Sequence, residues 1–137
     1  MFTHIMVPVD LAHVDKLKRA LGAAAGLATQ FGARVTFVSV TGSQPGGIAR
    51  SPEEFAQKLE AFAAEQAELH NMPDVASHAV TAHDPAVDLD GALEQAVHDL
   101  GADLVVMGSH IPRRFEFTNH GGRVASHTDV SVMLVRG

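Results

Sequence analysis

The chain has 137 residues, a formal net charge of −6, seven Phe as its aromatic residues and no cysteine. Its length suits one domain able to bury about two-thirds of its unfolded surface, and the missing cysteines exclude disulfides, thiolate metal sites and a cysteine nucleophile. Basic residues cluster no further than pairs such as Lys18-Arg19 and Arg113-Arg114, so nucleic acid, which needs converging cations and stacking platforms, is not an expected partner.

Met1 leads into Phe2-Thr3-His4 without a basic leader, and the apolar runs are too short for a bilayer. A cytoplasmic protein without membrane insertion is expected. The first β-rich run is Ile5 to Val9, followed by Asp10. A helical stripe of Leu17, Leu21, Ala24, Ala28 and Phe31 comes next, stopped by Gly32. Arg34 to Val40 reads as the second strand. The segment from Thr41 to Arg50, with Gly42, Pro45, Gly46 and Gly47, is a loop: a surface connection or a lid.

Ser51 as N-cap, Pro52 in the first turn and Glu54 closing a capping box start the second helix, striped by Phe55, Leu59, Phe62, Gln66 and Leu69. Val75 to Thr81 is a weaker third strand. Asp84-Pro85 starts a helix carrying Leu89, Leu93, Ala96, Val97 and Leu100, stopped by Gly101. Asp103 to Met107 is the fourth strand, a short helix over Thr118 to His127 contains Gly121-Gly122, and Val130 to Val135 is the last strand. Nearly continuous apolar runs suit strands covered on both faces, and strand–helix alternation gives an open α/β fold with a parallel sheet in a single domain over 1–137.

Ligands of such sheets bind beyond the carboxyl ends of the strands, at the topological switch point. Asp10, Val40, Thr41, His83, Asp84, Gly108, Ser109 and His110 are the residues available there. A helix start near Thr118-Asn119 would add free backbone N–H groups for an anion.

The opening Ile5-Met6-Val7-Pro8-Val9-Asp10, the segment Gly101 to His110 and the ending Val130 to Arg136 together resemble universal stress proteins over essentially the whole chain. That resemblance implies a five-stranded parallel sheet of order 3-2-1-4-5 with helices on both faces, of the adenine nucleotide alpha hydrolase-like type. It also implies an adenine-nucleotide crevice between the first and fourth strands, for ATP or AMP, with no required cofactor. Asp10 matches the acidic residue facing the nucleotide, and reads equally as a strand-end Asp. Val40 matches the backbone position that meets adenine. Gly108 matches the first glycine of the family's phosphate motif, after which the sequence departs: the second glycine falls at Ile111, followed by Pro112. Such a loop lacks the backbone freedom that cradles a triphosphate. Ser109 and His110 open this loop, Arg113 could supply charge, and Thr118 and Asn119 align with the motif's end. The expectation is a stress-response or regulatory module with weak or altered nucleotide binding; full ATP affinity is the alternative.

A small hydrolase using Ser109, His110 and Asp10 is disfavoured because adjacent side chains diverge and no Gly-x-Ser-x-Gly elbow exists. Metal ligation by His83-Asp84 or Asp88-Leu89-Asp90-Gly91 competes with helix capping by the same carboxylates. A phospho-receiver would need an acidic pair where Asp10 stands alone. No enzymatic role is therefore expected, beyond slow ATP hydrolysis. A bare apolar last strand invites pairing, and the resemblance implies a homodimer through it.

Overall fold

The computed structural model describes residues 1–109, 123–125 and 128–137. Its strands are β1 (His4–Pro8), β2 (Arg34–Gly42), β3 (Val75–Ala82), β4 (Leu104–Ser109) and β5 (Ser131–Arg136). Its long helices are α1 (Lys18–Phe31), α2 (Pro52–Leu69) and α3 (Pro85–Leu100), and a 3-10 helix, Leu11–Leu17, precedes α1. The sheet order is β3-β2-β1-β4-β5 and each neighbouring pair is parallel. Both the order and the parallel sense agree with the sequence-based expectation. Of the short helix expected over Thr118 to His127, residues 123–125 are described and are helical.

Period-two alternation sorts the strand side chains onto two covered faces. Ile5, Val7, Val35, Phe37, Leu104 and Val106 pack with α1 and α2. Met6, Val38, Val105 and Met107 pack with α3 and with Val124, which is fully buried. A sheet covered on both faces explains the lack of hydrophobic–polar alternation in these strands. On β5 the same alternation turns Val132 and Leu134 toward the α3 side and leaves Met133 exposed.

The helix ends follow local chemistry. α1 and α3 stop at Gly32 (φ 63°) and Gly101 (φ 66°), both in the left-handed region open to glycine. Ser51 caps α2 by accepting the Glu54 N–H at 3.1 Å. The reciprocal half of the expected capping box is displaced by one residue. Glu54 Oε2 accepts from the Arg50 N–H at 3.4 Å, and its other oxygen pairs with Lys58. At α3, Asp84 makes no side-chain cap, and Asp88 instead accepts the Asp84 N–H at 3.1 Å. That bond, and an Asp90–Arg123 contact at 3.4 Å, give both carboxylates structural work. No group of three metal-ligating side chains occurs among the described residues. None of the described helices is long and apolar enough to cross a membrane.

Asp103 joins the amino ends of β1 and β4. Its carboxylate accepts the Thr3 N–H (2.9 Å), the Thr3 hydroxyl (3.0 Å) and the His4 N–H (3.0 Å), while its own N–H donates to the His4 carbonyl (3.0 Å). Burial pushes the Asp103 carboxyl upward, but the donors from His4 and Thr3 outweigh it, leaving it below the ordinary carboxylate value. A lowered folded-state pKa stabilises the fold above the unfolded value, near 3.8, and that contribution disappears as pH falls through the folded value. Asp103→Asn is expected to cost on the order of 1 kcal/mol at pH 7, the screened worth of charge-assisted bonds, and to flatten the loss of stability below about pH 4. Urea melts from pH 3 to pH 7 check this; an unchanged pH profile in the variant would contradict it.

Candidate functional site

β1 follows β2 in register from His4↔Arg34 to Pro8↔Val38, but it follows β4 at Ile5↔Leu104 and Met6↔Val105. The reason lies in the backbone of Pro8. Successive N–H groups of a strand point to opposite edges. The Val9 N–H donates to the Val38 carbonyl at 2.8 Å, so it faces β2. The nitrogen of Pro8 therefore faces β4, and it carries no hydrogen to donate. The β1–β4 ladder ends before this residue, at the switch point of the sheet.

A cleft of about 910 Å³ lies there. The ends of β1 and β2 form its floor, held together by the Ser39 hydroxyl, which donates to the Val9 carbonyl at 2.7 Å. Val38, Val40, Phe55, Leu89, Leu93 and Met107 give it apolar walls. Val40 lies two residues beyond Val38, so its N–H and C=O share the edge of the Val38 carbonyl and face the space that β1 has left. The loop after β2 contributes Ile48, whose carbonyl accepts from Lys58 and whose turn is closed by a Gly46 N–H to Ala49 carbonyl bond at 2.9 Å. Part of the segment read as a connection or lid thus borders the cleft.

The mouth is polar. Asp10 caps the 3-10 helix, with Oδ1 accepting the Ala12 N–H at 3.0 Å and Oδ2 holding His13 Nδ1 at 2.8 Å. Asp10 thus makes the turn expected of a strand-end Asp and also borders the cleft. His13 and Lys16 line the same wall. The sequence stripe of α1 begins at Leu17 and gave no sign of either; the signal available was a cap residue, Asp10, with a histidine three positions on.

Gly108 faces the cleft from β4 and is fixed by close approach. A Cβ on it would stand 2.8 Å from Leu17 Cδ2 and 3.7 Å from the Ala20 Cβ. Its packing role stands beside the phosphate role that the motif implies. Ser109 ends β4, paired in register with Arg136. His110, Ile111, Pro112, Arg113, Arg114, Thr118 and Asn119 lie outside the described residues. The structure thus brings Asp10, Val40 and Gly108 to one cleft and adds His13 and Lys16 to them.

The sequence profile described as the Universal stress protein family matches residues 1–136. The chain belongs to this family. No curated protein sequence matches the chain. Among solved structures, a universal stress protein in complex with cAMP is similar at TM-score 0.73 and 19% identity, covering 98% of this chain and 97% of that one. The universal stress protein from Archaeoglobus fulgidus in complex with dAMP is similar at TM-score 0.67 and 20% identity, with 96% of each chain covered. A universal stress protein family protein from Arabidopsis thaliana with AMP bound gives TM-score 0.67 and 19% identity, over 98% of this chain and 90% of that one. At such identities these likenesses establish a shared fold.

Leu17 and Gly108 offer a test of how the cleft wall is packed. Gly108→Ala should cost about 1 kcal/mol, because a flexible leucine methyl can yield but not without strain. In a Leu17→Ala background the same change should cost nothing measurable, a coupling that a double-mutant cycle of thermal or urea melts reads directly. Additive costs would mean that the two residues do not meet.

Proposed function

We propose that this universal stress protein is a dimeric stress-response or regulatory module that binds an adenine nucleotide at the switch-point cleft and performs no chemistry on it beyond slow ATP hydrolysis. The cleft carries the reading. Its apolar walls suit a flat base, the free edge of Val40 offers a donor and an acceptor to that base, and Asp10 and Gly108 stand at the mouth. The bound cAMP, dAMP and AMP of the three similar structures support the choice of ligand class.

The sequence after Gly108 supports weak triphosphate binding. Ile111-Pro112 stands where the family's motif has a glycine, and each hydrogen bond lost to a charged phosphate is worth roughly 1.5–3 kcal/mol. Two such losses weaken ATP about a hundredfold or more. Isothermal titration is expected to show weak or no ATP binding, AMP and ADP less affected than ATP, and a further loss of all three in Asp10→Ala. Sub-micromolar ATP affinity that depends on Asp10 would contradict the weak-binding reading and indicate that Arg113 or Arg114 replaces the missing glycines.

The dimer rests on β5, the last strand in the sheet order, which presents Met133 at 40% exposure. Val132 and Leu134 pack against the α3-side core, so they are poor probes of a partner surface. Sedimentation at tens of micromolar (a range in which weak pairs still associate) is expected to show a dimer that Met133→Lys shifts toward monomer. A monomeric native protein in that range would contradict the dimer.

A further inference from the structure

The cleft has a polar wall that the family's glycine motif does not explain. On a chain with only ten Lys and Arg and a net charge of −6, the 3-10 helix brings two residues able to carry positive charge, His13 and Lys16, to the lining of the same cleft. The backbone turns non-helical at His13 (φ −136°, ψ 41°), and Ala12 before that kink and Lys16 beyond it both border the cleft. The imidazole is oriented. Asp10 Oδ2 holds Nδ1 at 2.8 Å, while Asp10 Oδ1 is itself fixed by the Ala12 N–H at 3.0 Å.

We propose that His13 and Lys16 are the anion contacts of the cleft, taking a nucleotide's phosphate from the β1 side. This rests on the adenine-nucleotide reading above. With Nδ1 engaged by Asp10, Nε2 is the ring nitrogen left for a ligand. Neutral His13 with its proton on Nδ1 presents a lone pair at Nε2, which repels a phosphate oxygen. Protonated His13 presents an N–H there, a charge-assisted donor. Lys16 adds an ammonium donor. The titratable side chains bordering the cleft with His13 are Asp10 and Lys16; β2, α3 and β4 contribute none among the described residues, and Gly137 also borders the cleft. Ligand specificity follows: a singly charged phosphate is matched by this wall, while a triphosphate also needs donors beyond it.

The probe is cAMP, whose phosphodiester keeps one charge from pH 6 to pH 8, so any pH dependence belongs to the protein. Adenosine is the uncharged control. Titration calorimetry of the native protein is expected to show cAMP bound about fivefold or more tightly at pH 6 than at pH 8, the screened worth of one charge-assisted bond, with adenosine unaffected by pH. His13→Gln, which keeps a donor toward Asp10, is expected to remove the pH dependence; Lys16→Met is expected to weaken cAMP at both pH values; neither should alter adenosine binding. Circular dichroism confirms that the variants are folded. If both variants bind cAMP with native affinity and native pH dependence, this inference fails while the nucleotide reading stands. If the native protein binds neither cAMP nor adenosine, both fail.

Discussion

The join between β1 and β4 governs the rest of the molecule, because it is fastened at one end and released at the other. At the amino end, the Asp103 carboxylate gathers the Thr3 and His4 N–H groups and its own N–H returns to the His4 carbonyl. At the carboxyl end, Pro8 turns toward β4 a nitrogen that cannot donate, and the ladder stops at Met6↔Val105. Parallel pairing elsewhere continues further, through Gly42↔Ala82 on β2–β3 and Ser109↔Arg136 on β4–β5. A sheet tied on one side of its switch point and untied on the other opens a cleft at the carboxyl ends of its central strands, where α/β sheets bind ligands.

What fills the surroundings of that cleft follows from the release. β1 ends at Pro8, and Asp10, two residues on, caps a 3-10 helix in place of continuing the strand. The helix carries Leu17 down onto Gly108, where an added Cβ would meet the leucine methyl at 2.8 Å. On the other side, Ser39 and Val38 hold Val9 in place while the backbone edge of Val40 is left facing the cleft. One wall of the site is therefore backbone and apolar surface. The other carries Asp10, His13 and Lys16, the groups able to meet charge.

The sheet and its long helices were legible from residue patterns because their signals are local or periodic: apolar runs for doubly covered strands, glycine at the left-handed ends of α1 and α3, and Ser51 before Pro52 at α2. The strand order was carried by the family resemblance. Asp10, Val40 and Gly108 were legible as cleft residues for the same reason, since strand ends fix them. His13 and Lys16 were not, because a short 3-10 helix with a non-helical residue at its centre has no apolar period to read. The inward packing of Val132 and Leu134 was also hidden. In an apolar strand both faces look alike, and only pairing with β4 in register assigns Met133 to the open side.

The binding of an adenine nucleotide at this cleft is tested most directly by backbone amide NMR spectra of the protein titrated with AMP. The shifts should concentrate on Val9, Asp10, His13, Val40 and Gly108, the residues that the split between β1 and β4 brings to one opening. Saturable shifts centred elsewhere, or none at millimolar AMP, where even contacts of about 4 kcal/mol give half-saturation, would contradict it.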